Sequence, residues 1–300
     1  MKISLSNELA VMQPVVLFDS QIARLDLLRL DLIHPVVSGN KWFKLIEWLD
    51  IASQGKKDGI ITAGGAYSNH VVATAYAARS AGLKSAAIIR GEASALESHS
   101  LRDARSYGMA IQFTDRSGYT SIKNNATESG LVPDNWLFVP EGGAGPEGVK
   151  GAAAILDLVP GLSDYTHICC AMGTGTMLAG LSNAAQPYQQ VIGISSLKGE
   201  DTLSEKIKTW QKPGAAAFQV FRDFHFGGYA KHPQPLLNFM NGLYLRTKIP
   251  TDIVYTGKLM FGIWKLLENG FFKDSDRILA IHSGGLQGNR SLNMGQLVFL

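Results

Sequence analysis

The segment ICCAMGTGTMLAG, residues 168–180, joins an apolar run to a run of small and apolar residues through a Gly-Thr-Gly-Thr turn. The first run predicts a buried strand, and the second predicts a helix. Gly173 and Gly175 let the backbone approach a ligand closely, while Thr174 and Thr176 add hydroxyl donors at the expected helix N-terminus. The pattern therefore predicts an anion site at a strand-to-helix junction.

The same alternation of apolar runs, glycine turns and helical periodicity recurs along the chain. It predicts an α/β fold in which mostly parallel, twisted sheets are flanked by helices. The predicted strands are Gly59–Ala63, Ser85–Arg90, Ala110–Thr114, Trp136–Val139, His167–Ala171, Val191–Ser195 and Arg277–Ile281. The predicted helices are Trp42–Ser53, Asn69–Ala81, Leu96–Tyr107, Glu147–Leu158, Met177–Ala185, Leu203–Trp210 and Lys258–Asn269.

Composition narrows the possible partners. The 300 residues carry a formal charge of only +3, and Lys and Arg form no dense stripe, so we expect a small-molecule partner and neither nucleic acid nor a membrane surface. No apolar run approaches the roughly 20 residues of a membrane span. Cys169 and Cys170 are adjacent in an apolar run, which suits a buried strand and not a metal site or disulfide. A cytoplasmic location is the expectation.

Ser38-Gly39-Asn40-Lys41 stands at the start of a predicted helix, on which Phe43, Ile46 and Leu49 are expected to be buried. A lysine at a helix N-terminus lies at the positive end of the helix dipole, which disfavours the ammonium form and favours a neutral amine. A neutral amine is the state that Schiff-base formation requires. An ordinary surface lysine remains the alternative from this residue alone.

A second glycine turn, Gly64–His70, follows the predicted strand at residues 59–63. Backbone N–H groups at such a junction form a natural site for a carboxylate or a phosphate. Ser68 could bind that anion, or it could simply cap the helix that follows. Both interpretations stay open.

Three further aromatic residues lie beside glycine turns. Tyr229 and Tyr255 could each reach a pocket or could pack at its rim, and His282 could be catalytic or structural. The Gly-x-Gly turn also permits a dinucleotide-binding interpretation, in which Glu200 or Asp201 would be the acidic residue of the motif, although both lie slightly too far along the chain.

Taken together, these segments resemble the pyridoxal-phosphate (PLP) enzymes of the 1-aminocyclopropane-1-carboxylate (ACC) deaminase and D-cysteine desulfhydrase family, a branch of the fold-type-II group. The resemblance extends from about Pro35 to Gly288. It is carried by Gly39-Asn40-Lys41, Gly64–His70, Pro140-Glu141-Gly142-Gly143, Gly173–Gly180, Tyr255-Thr256-Gly257-Lys258 and His282-Ser283-Gly284-Gly285. It implies a large cofactor-binding domain at residues 1–43 and 151–300 and a smaller open α/β domain at residues 44–150.

The resemblance also implies roles for individual residues toward the cofactor. Lys41 would form the Schiff base, Asn69 would donate a hydrogen bond to the phenolic oxygen, and Thr256 would face the pyridine nitrogen. The phosphate would be held by Gly173, Thr174, Gly175 and Thr176.

The remaining implied roles concern the substrate. Ser68 would bind its carboxylate, and Asn69, His70 and Tyr67 would also contact the substrate. Tyr67 stands beside this loop where better-known members have Gln. Tyr229 and Tyr255 would be the two active-site tyrosines.

Thr256 decides between the two activities that the family name contains. The deaminases carry Glu at this position, whereas the desulfhydrases carry Thr, and His70 also follows the desulfhydrase pattern. We therefore expect a homodimeric PLP-dependent lyase that performs α,β-elimination on a small amino acid such as D-cysteine. The alternatives are ACC deamination, a catalytically silent PLP- or amino-acid-binding protein, and a nicotinamide-dependent enzyme.

Overall fold

The computed structural model describes residues 11–16, 24–94, 96–126, 128–199 and 202–300. Its strands are β1 Val11–Val15, β2 Arg24–Arg29, β3 Gly59–Gly64, β4 Lys84–Arg90, β5 Ala110–Thr114, β6 Trp136–Val139, β7 His167–Met172, β8 Gln190–Ser195, β9 Phe218–Phe221 and β10 Arg277–His282. Its α-helices are α1 Asn40–Gln54, α2 Asn69–Ser80, α3 His99–Ser106, α4 Arg116–Asn124, α5 Pro146–Ala153, α6 Thr176–Ala184, α7 Leu203–Thr209, α8 Gln234–Thr247 and α9 Thr256–Glu268.

The described residues divide into two compact units. The smaller unit comprises His34–Val37 and Lys41–Gly151, and the larger comprises Ser38–Asn40, Ala152–Leu300 and the described residues up to Ile33. One of the boundaries between the units therefore falls between Asn40 and Lys41, inside the first turn of α1. Each unit has its own sheet and its own core.

The larger unit is built on a six-stranded sheet of order β1-β2-β10-β7-β8-β9. All its strand pairs are parallel except β1 with β2. The central strand β7, HICCAM, is buried from Ile168 onward, as expected for a parallel strand covered on both faces. Residues of α8 and α9 pack with residues of β7, β8 and β10 in the main apolar core. This arrangement places the carboxyl end of β7 at the Gly173 turn.

The smaller unit contains a four-stranded parallel sheet of order β5-β4-β3-β6. Ile88 and Ile89 are adjacent on β4 and belong to separate apolar clusters, because successive side chains of a strand point to opposite faces. Ile89 packs in a cluster with Val71 of α2, and Ile88 packs in one with Ile122 of α4. Its central strand β3 leads directly into the turn before α2.

The α/β class with mostly parallel sheets is confirmed, and each predicted strand is present within one residue at either end. Among the strands and α-helices of the described residues, five were not predicted: β1, β2, β9, α4 and α8. The expected strand position of Cys169 and Cys170 is confirmed, since both are buried in β7. None of the helices in the described ranges is both long enough and apolar enough to cross a membrane.

The predicted buried face of α1 was wrong in part. Phe43 is buried, but Ile46 is 38% exposed, and Leu45 and Trp48 are buried instead. A face defined by steps of three residues drifts around a helix with 3.6 residues per turn, so the pattern placed the buried stripe too far to one side.

Candidate active site

The turn from β7 into α6 has the features of an anion site. Gly175 adopts a φ of +80°, and a Cβ there would lie only 2.7 Å from Ile207 Cγ1, so both backbone conformation and space require glycine. No side chain caps α6, so its first N–H groups remain for another acceptor. The hydroxyls of Thr174 and Thr176 lie 2.9 Å apart.

The Ser38-Gly39-Asn40 segment crosses the backbone of the turn after β10 at very short distance. A Cβ at Gly39 would lie 1.9 Å from Ser283 O, so only glycine allows these two backbone segments to cross. The N–H of Asn40 donates to the same carbonyl at 3.3 Å, and its Nδ2 lies 3.2 Å from Met177 Sδ in α6. The first residue of α1 is thereby attached to the helix that begins at the Gly173–Thr176 turn. Lys41 is the next residue along the chain.

Lys41 is the second residue of α1, as predicted, and it is half-buried. Lys44 lies one turn further along the helix and is only 5% exposed. The ring of His70 approaches the same region, because a Cβ at Gly143 would contact both Lys44 Cβ at 3.1 Å and His70 Cε1 at 3.7 Å. Two lysines and one histidine of the smaller unit therefore belong to one neighbourhood.

His70 is held as a neutral imidazole with its proton on Nε2. The single hydroxyl proton of Thr62 goes to Val139 O at 2.7 Å, so His70 Nε2, 2.9 Å from Thr62 Oγ1, must be the donor in that contact. Burial, together with the positive charges of Lys41 and Lys44, lowers the pKa of His70 to about 3. Its Nδ1 is buried and has no hydrogen-bond partner among the described residues.

The turn that begins α2 is capped. Ser68 Oγ accepts from Val71 N at 3.3 Å, a long contact that leaves the hydroxyl proton for another partner. Gly64 has no room for a side chain, because a Cβ would lie 2.8 Å from Val71 Cγ2, whereas a Cβ at Gly65 would contact nothing within 4 Å. Asn69 begins the helix and is 9% exposed. Ser68 therefore does cap α2, and the cap is compatible with anion binding.

Tyr67 lies at the outer side of this turn. Its side chain is 55% exposed, and its ring meets the ring of His99 edge-on at 5.6 Å. The turn is also attached to α3, since Ser98 Oγ donates to Ala66 O. Tyr67 is thus supported on one side and exposed on the other.

Thr256 is fully buried, and its hydroxyl is engaged by Asp252. The hydroxyl donates to Asp252 Oδ1 at 2.6 Å and accepts from Asp252 N at 2.7 Å. The same carboxylate accepts the N–H groups of Val254, Tyr255 and Thr256 at 2.8 to 2.9 Å. Four hydrogen bonds saturate the carboxylate, which leaves Thr256 Oγ1 with one lone pair and no spare proton.

The structure brings Tyr255 close to both Tyr229 and the Gly173–Thr176 turn. The two tyrosine rings meet edge-on with centroids 6.2 Å apart. A Cβ at Gly173 would lie 3.3 Å from Tyr255 Cε1, so the glycine lets the ring pack against the bare turn. Tyr229 remains 48% exposed.

His282 has the contacts of a structural histidine. It is fully buried, its Nε2 donates to Pro250 O at 2.8 Å, and its Nδ1 lies 3.2 Å from Asp31 Oδ1 and 3.3 Å from the N–H of Gly284. Both ring nitrogens are therefore engaged by the protein, which favours the structural one of the two interpretations.

The sequence analysis assigned no role to Asp252, Lys258, Thr62 or Lys44. Lys44 carried a signal, because a lysine three residues after Lys41 falls on the same face of a helix. Glu200 and Asp201, the acidic residues of the dinucleotide alternative, lie outside the described residues.

Comparison with known proteins identifies the class. The family model described as "Pyridoxal-phosphate dependent enzyme" matches residues 23–284, and the chain belongs to this family. A Pyrococcus horikoshii protein that is provisionally named 1-aminocyclopropane-1-carboxylate deaminase is 29% identical over 276 residues, 86% of this chain and 83% of its own length. A D-cysteine desulfhydrase from Yersinia enterocolitica is 26% identical over 283 residues, 85% of this chain and 84% of its own length.

A solved structure supports the same assignment. The crystal structure of an ACC deaminase homologue superposes with a TM-score of 0.78 and 26% identity, covering 93% of this chain and 90% of the other. The resemblance inferred from the motifs, its fold-type-II architecture and its dependence on PLP are therefore confirmed.

The residues present fit this cofactor. The uncapped start of α6 offers N–H donors and two hydroxyls for a phosphate, and glycine at position 173 keeps the turn bare beside Tyr255. An amine stands at the start of α1, one residue after Asn40, which contacts α6.

Proposed function

We propose that this protein performs PLP-dependent α,β-elimination on a small amino acid, with D-cysteine as the preferred substrate type. D-cysteine and water would give pyruvate, ammonia and hydrogen sulfide. The relatives support the reaction class, since one is named D-cysteine desulfhydrase and others carry ACC deaminase names. The choice between these two reactions rests on Thr256.

The cofactor would be held by residues from several junctions. Lys41 would bind it covalently, Gly173–Thr176 would bind its phosphate, and Asn69 would donate to its phenolic oxygen. Thr256 would face its ring nitrogen. When bound, the cofactor supplies an electron sink for negative charge that develops at the substrate's α-carbon.

The substrate would be oriented through its carboxylate. Ser68 and the first N–H groups of α2 would bind this group, because a helix N-terminus stabilises an anion. Tyr67 and His70 flank the turn, and the exposed ring of Tyr67 would contact the substrate's side chain.

Lys41 and one of two tyrosines would move protons. Lys41 Nζ would take the α-proton, and Tyr255 or Tyr229 would donate a phenolic proton to the sulfur as the carbon–sulfur bond breaks. The edge-on contact between the two rings supports a shared task at the leaving group. The three-carbon product would hydrolyse to pyruvate and ammonia.

The single observation that carries elimination over ring opening is the hydroxyl at Thr256. A carboxylate beside the ring nitrogen would hold a proton there and strengthen the electron sink that opening of a cyclopropane ring demands. Asp252 cannot take this role, because all four of its acceptor directions are occupied by residues 254–256. Elimination of a good leaving group needs less stabilisation.

The test is a screen of the purified holoenzyme for 2-oxo acid release. D-cysteine, β-chloro-D-alanine, their L-enantiomers and ACC would be supplied separately, and pyruvate and 2-oxobutanoate would be distinguished by chromatography. We expect pyruvate from the D-amino acids and almost no product from ACC. Lys41→Ala serves as the control for product that forms without the enzyme.

Efficient release of 2-oxobutanoate from ACC would show that the protein is an ACC deaminase and that the proposed elimination is wrong. Turnover of L-enantiomers alone would keep the reaction class and reverse the stereochemistry. A protein that binds PLP but releases no 2-oxo acid from any of these compounds would favour the catalytically silent alternative.

A further inference from the structure

Lys258 is a buried cation to which the proposed reaction assigns no role. It lies on α9, three residues after Tyr255, and its side chain is fully buried. Its Nζ donates to two backbone carbonyls, His225 O at 2.9 Å and Gly228 O at 2.7 Å. Both carbonyls belong to one short loop, which contains Tyr229.

That loop, His225–Ala230, has an unfavourable backbone. Phe226 and Ala230 adopt φ values of +54° and +56°, and the glycines between them have φ values of +95° and +119°. Each non-glycine residue in the left-handed region costs about 1–2 kcal/mol. Contacts outside the loop must therefore hold it in place.

Two such contacts come from α9. The ring of Phe226 meets that of Phe261 edge-on at 4.7 Å, and Lys258 holds the two carbonyls. The apolar contact attaches the loop at Phe226, and the lysine attaches it at His225 and at Gly228. Lys258 thereby links the loop that carries Tyr229 to the helix whose start carries Tyr255.

Burial of the Lys258 ammonium group carries a desolvation cost. Burial lowers the pKa of Lys258 to about 8, although the Asp252 carboxylate opposes this shift. Methionine could fill similar space without the desolvation cost of a buried charge, and the two carbonyls would keep the backbone N–H donors of Gly228 and Lys231. Overall stability thus gives no reason for a lysine here, whereas hydrogen bonding to the loop does.

We propose that Lys258 is a positioning residue that holds the His225–Ala230 loop so that the phenol of Tyr229 stays beside Tyr255. This inference rests on the proposed role of Tyr229 in the reaction. Both the ammonium and the neutral amine have at least two N–H groups, so the loop stays attached on either side of the lysine's titration.

The first test measures the loop directly by hydrogen exchange. The carbonyls that Lys258 contacts also accept the N–H groups of Gly228 and Lys231, so exchange at these amides reports on the attachment. In Lys258→Met, exchange should rise about tenfold or more at each of these amides, as expected for the loss of one charge-assisted hydrogen bond to each of the two carbonyls. The matched control is Lys150→Met, since Lys150 lies on α5 of the smaller unit and pairs with Glu47 at the surface.

The second test asks whether Lys258 acts through Tyr229. The rates of Lys258→Met, Tyr229→Phe and the double variant would be measured on whichever substrate the screen identifies. We expect Lys258→Met to lower kcat strongly in the wild-type background and hardly at all in the Tyr229→Phe background. Its melting temperature should be unchanged or raised, which a purely structural role would not produce.

Unchanged exchange at Gly228 and Lys231 would overturn the proposal, and so would fully additive effects in the double variant. Lys258→Arg keeps the donors and would be used for both measurements if the Met variant fails to fold, with near-wild-type exchange expected. The exchange experiment needs no substrate. A failure of the proposed function would appear as absent turnover in the wild type, separately from these results.

Discussion

Each unit contains a strand–turn–helix junction with a glycine turn. The two junctions differ in how the helix after the turn begins. The Gly64–Ser68 turn leads into α2, whose first turn is capped by Ser68 Oγ. The Gly173–Gly175 turn leads into α6, which no side chain caps. The first junction has therefore already satisfied one of its N–H donors, while the second offers all of them.

This difference explains how two similar turns could bind different anions. A phosphate dianion has three acceptor oxygens and makes use of every N–H at an uncapped start, to which Thr174 and Thr176 add hydroxyls. A carboxylate has two oxygens and needs fewer donors. The predictions below separate the two turns from each other and from the amine of Lys41.

The largest effect should come from Lys41→Ala. Removing the amine leaves both turns intact, so the variant should fold and should bind PLP weakly through the Gly173–Thr176 turn. Turnover should be lost, and borohydride should no longer fix the cofactor to the protein. Peptide mapping after reduction checks this, and a label on another lysine of the wild type would show that the amine is misassigned.

Gly175→Asp should have the next largest effect, because it places a charge and a side chain in the uncapped turn. Cofactor affinity should fall by about 100-fold or more from repulsion and lost N–H contacts. Gly175→Ala is the matched control, since it adds the backbone strain and the steric conflict with Ile207 without the charge. Equilibrium titration with PLP checks the affinity, and equal losses in both variants would show that charge is not the reason.

A smaller effect is expected for Gly65→Asp in the capped turn. The position has space for a side chain and no unusual φ, so the fold should tolerate the change. The new carboxylate should raise the KM of the amino acid by about tenfold, with PLP affinity nearly unchanged. Gly65→Asn controls for bulk. A loss of PLP affinity without a change in KM would show that the roles proposed for the two turns are the wrong way round.

The smallest effect concerns the acid side of stability. The pKa of His70 is lowered to about 3 in the folded protein, so between pH 6.5 and 3 the unfolded chain binds a proton that the folded one does not. Stability should fall by about 1.4 kcal/mol for each pH unit of acidification in this window. His70→Gln should remove this part of the slope. Denaturant unfolding at several pH values checks it, and an unchanged slope would contradict the buried neutral imidazole.

Local patterns were sufficient for most of the fold. The β7–α6 junction was recognisable because an apolar strand, two glycines and a helical run follow one another within thirteen residues. Elements with weaker local signals were missed. β9 is a four-residue edge strand, and α4 contains Gly118, Thr120 and two serines, which favour helices little.

The missed site residues had signals of a different kind. Asp252 is one of many acidic residues in the sequence, and only the turn of residues 252–256 shows that its carboxylate collects four hydrogen bonds. Lys258 belongs to a recognisable motif, but its contacts with His225 and Gly228 cross about 30 residues of chain. Contacts between side chains and backbone groups so far apart in the chain produce no periodic pattern in the sequence.

The sequence alone determined the α/β alternation, the two glycine turns and the lysine at a helix start, because each depends on neighbours within a few residues. Only the tertiary structure decided that Gly39 must pass against Ser283, that His70 is neutral and that the Thr256 hydroxyl donates its hydrogen bond to Asp252. These outcomes depend on which atoms become buried together. Close approach, desolvation and the direction of a hydroxyl proton arise from packing between distant segments, and no local pattern encodes them.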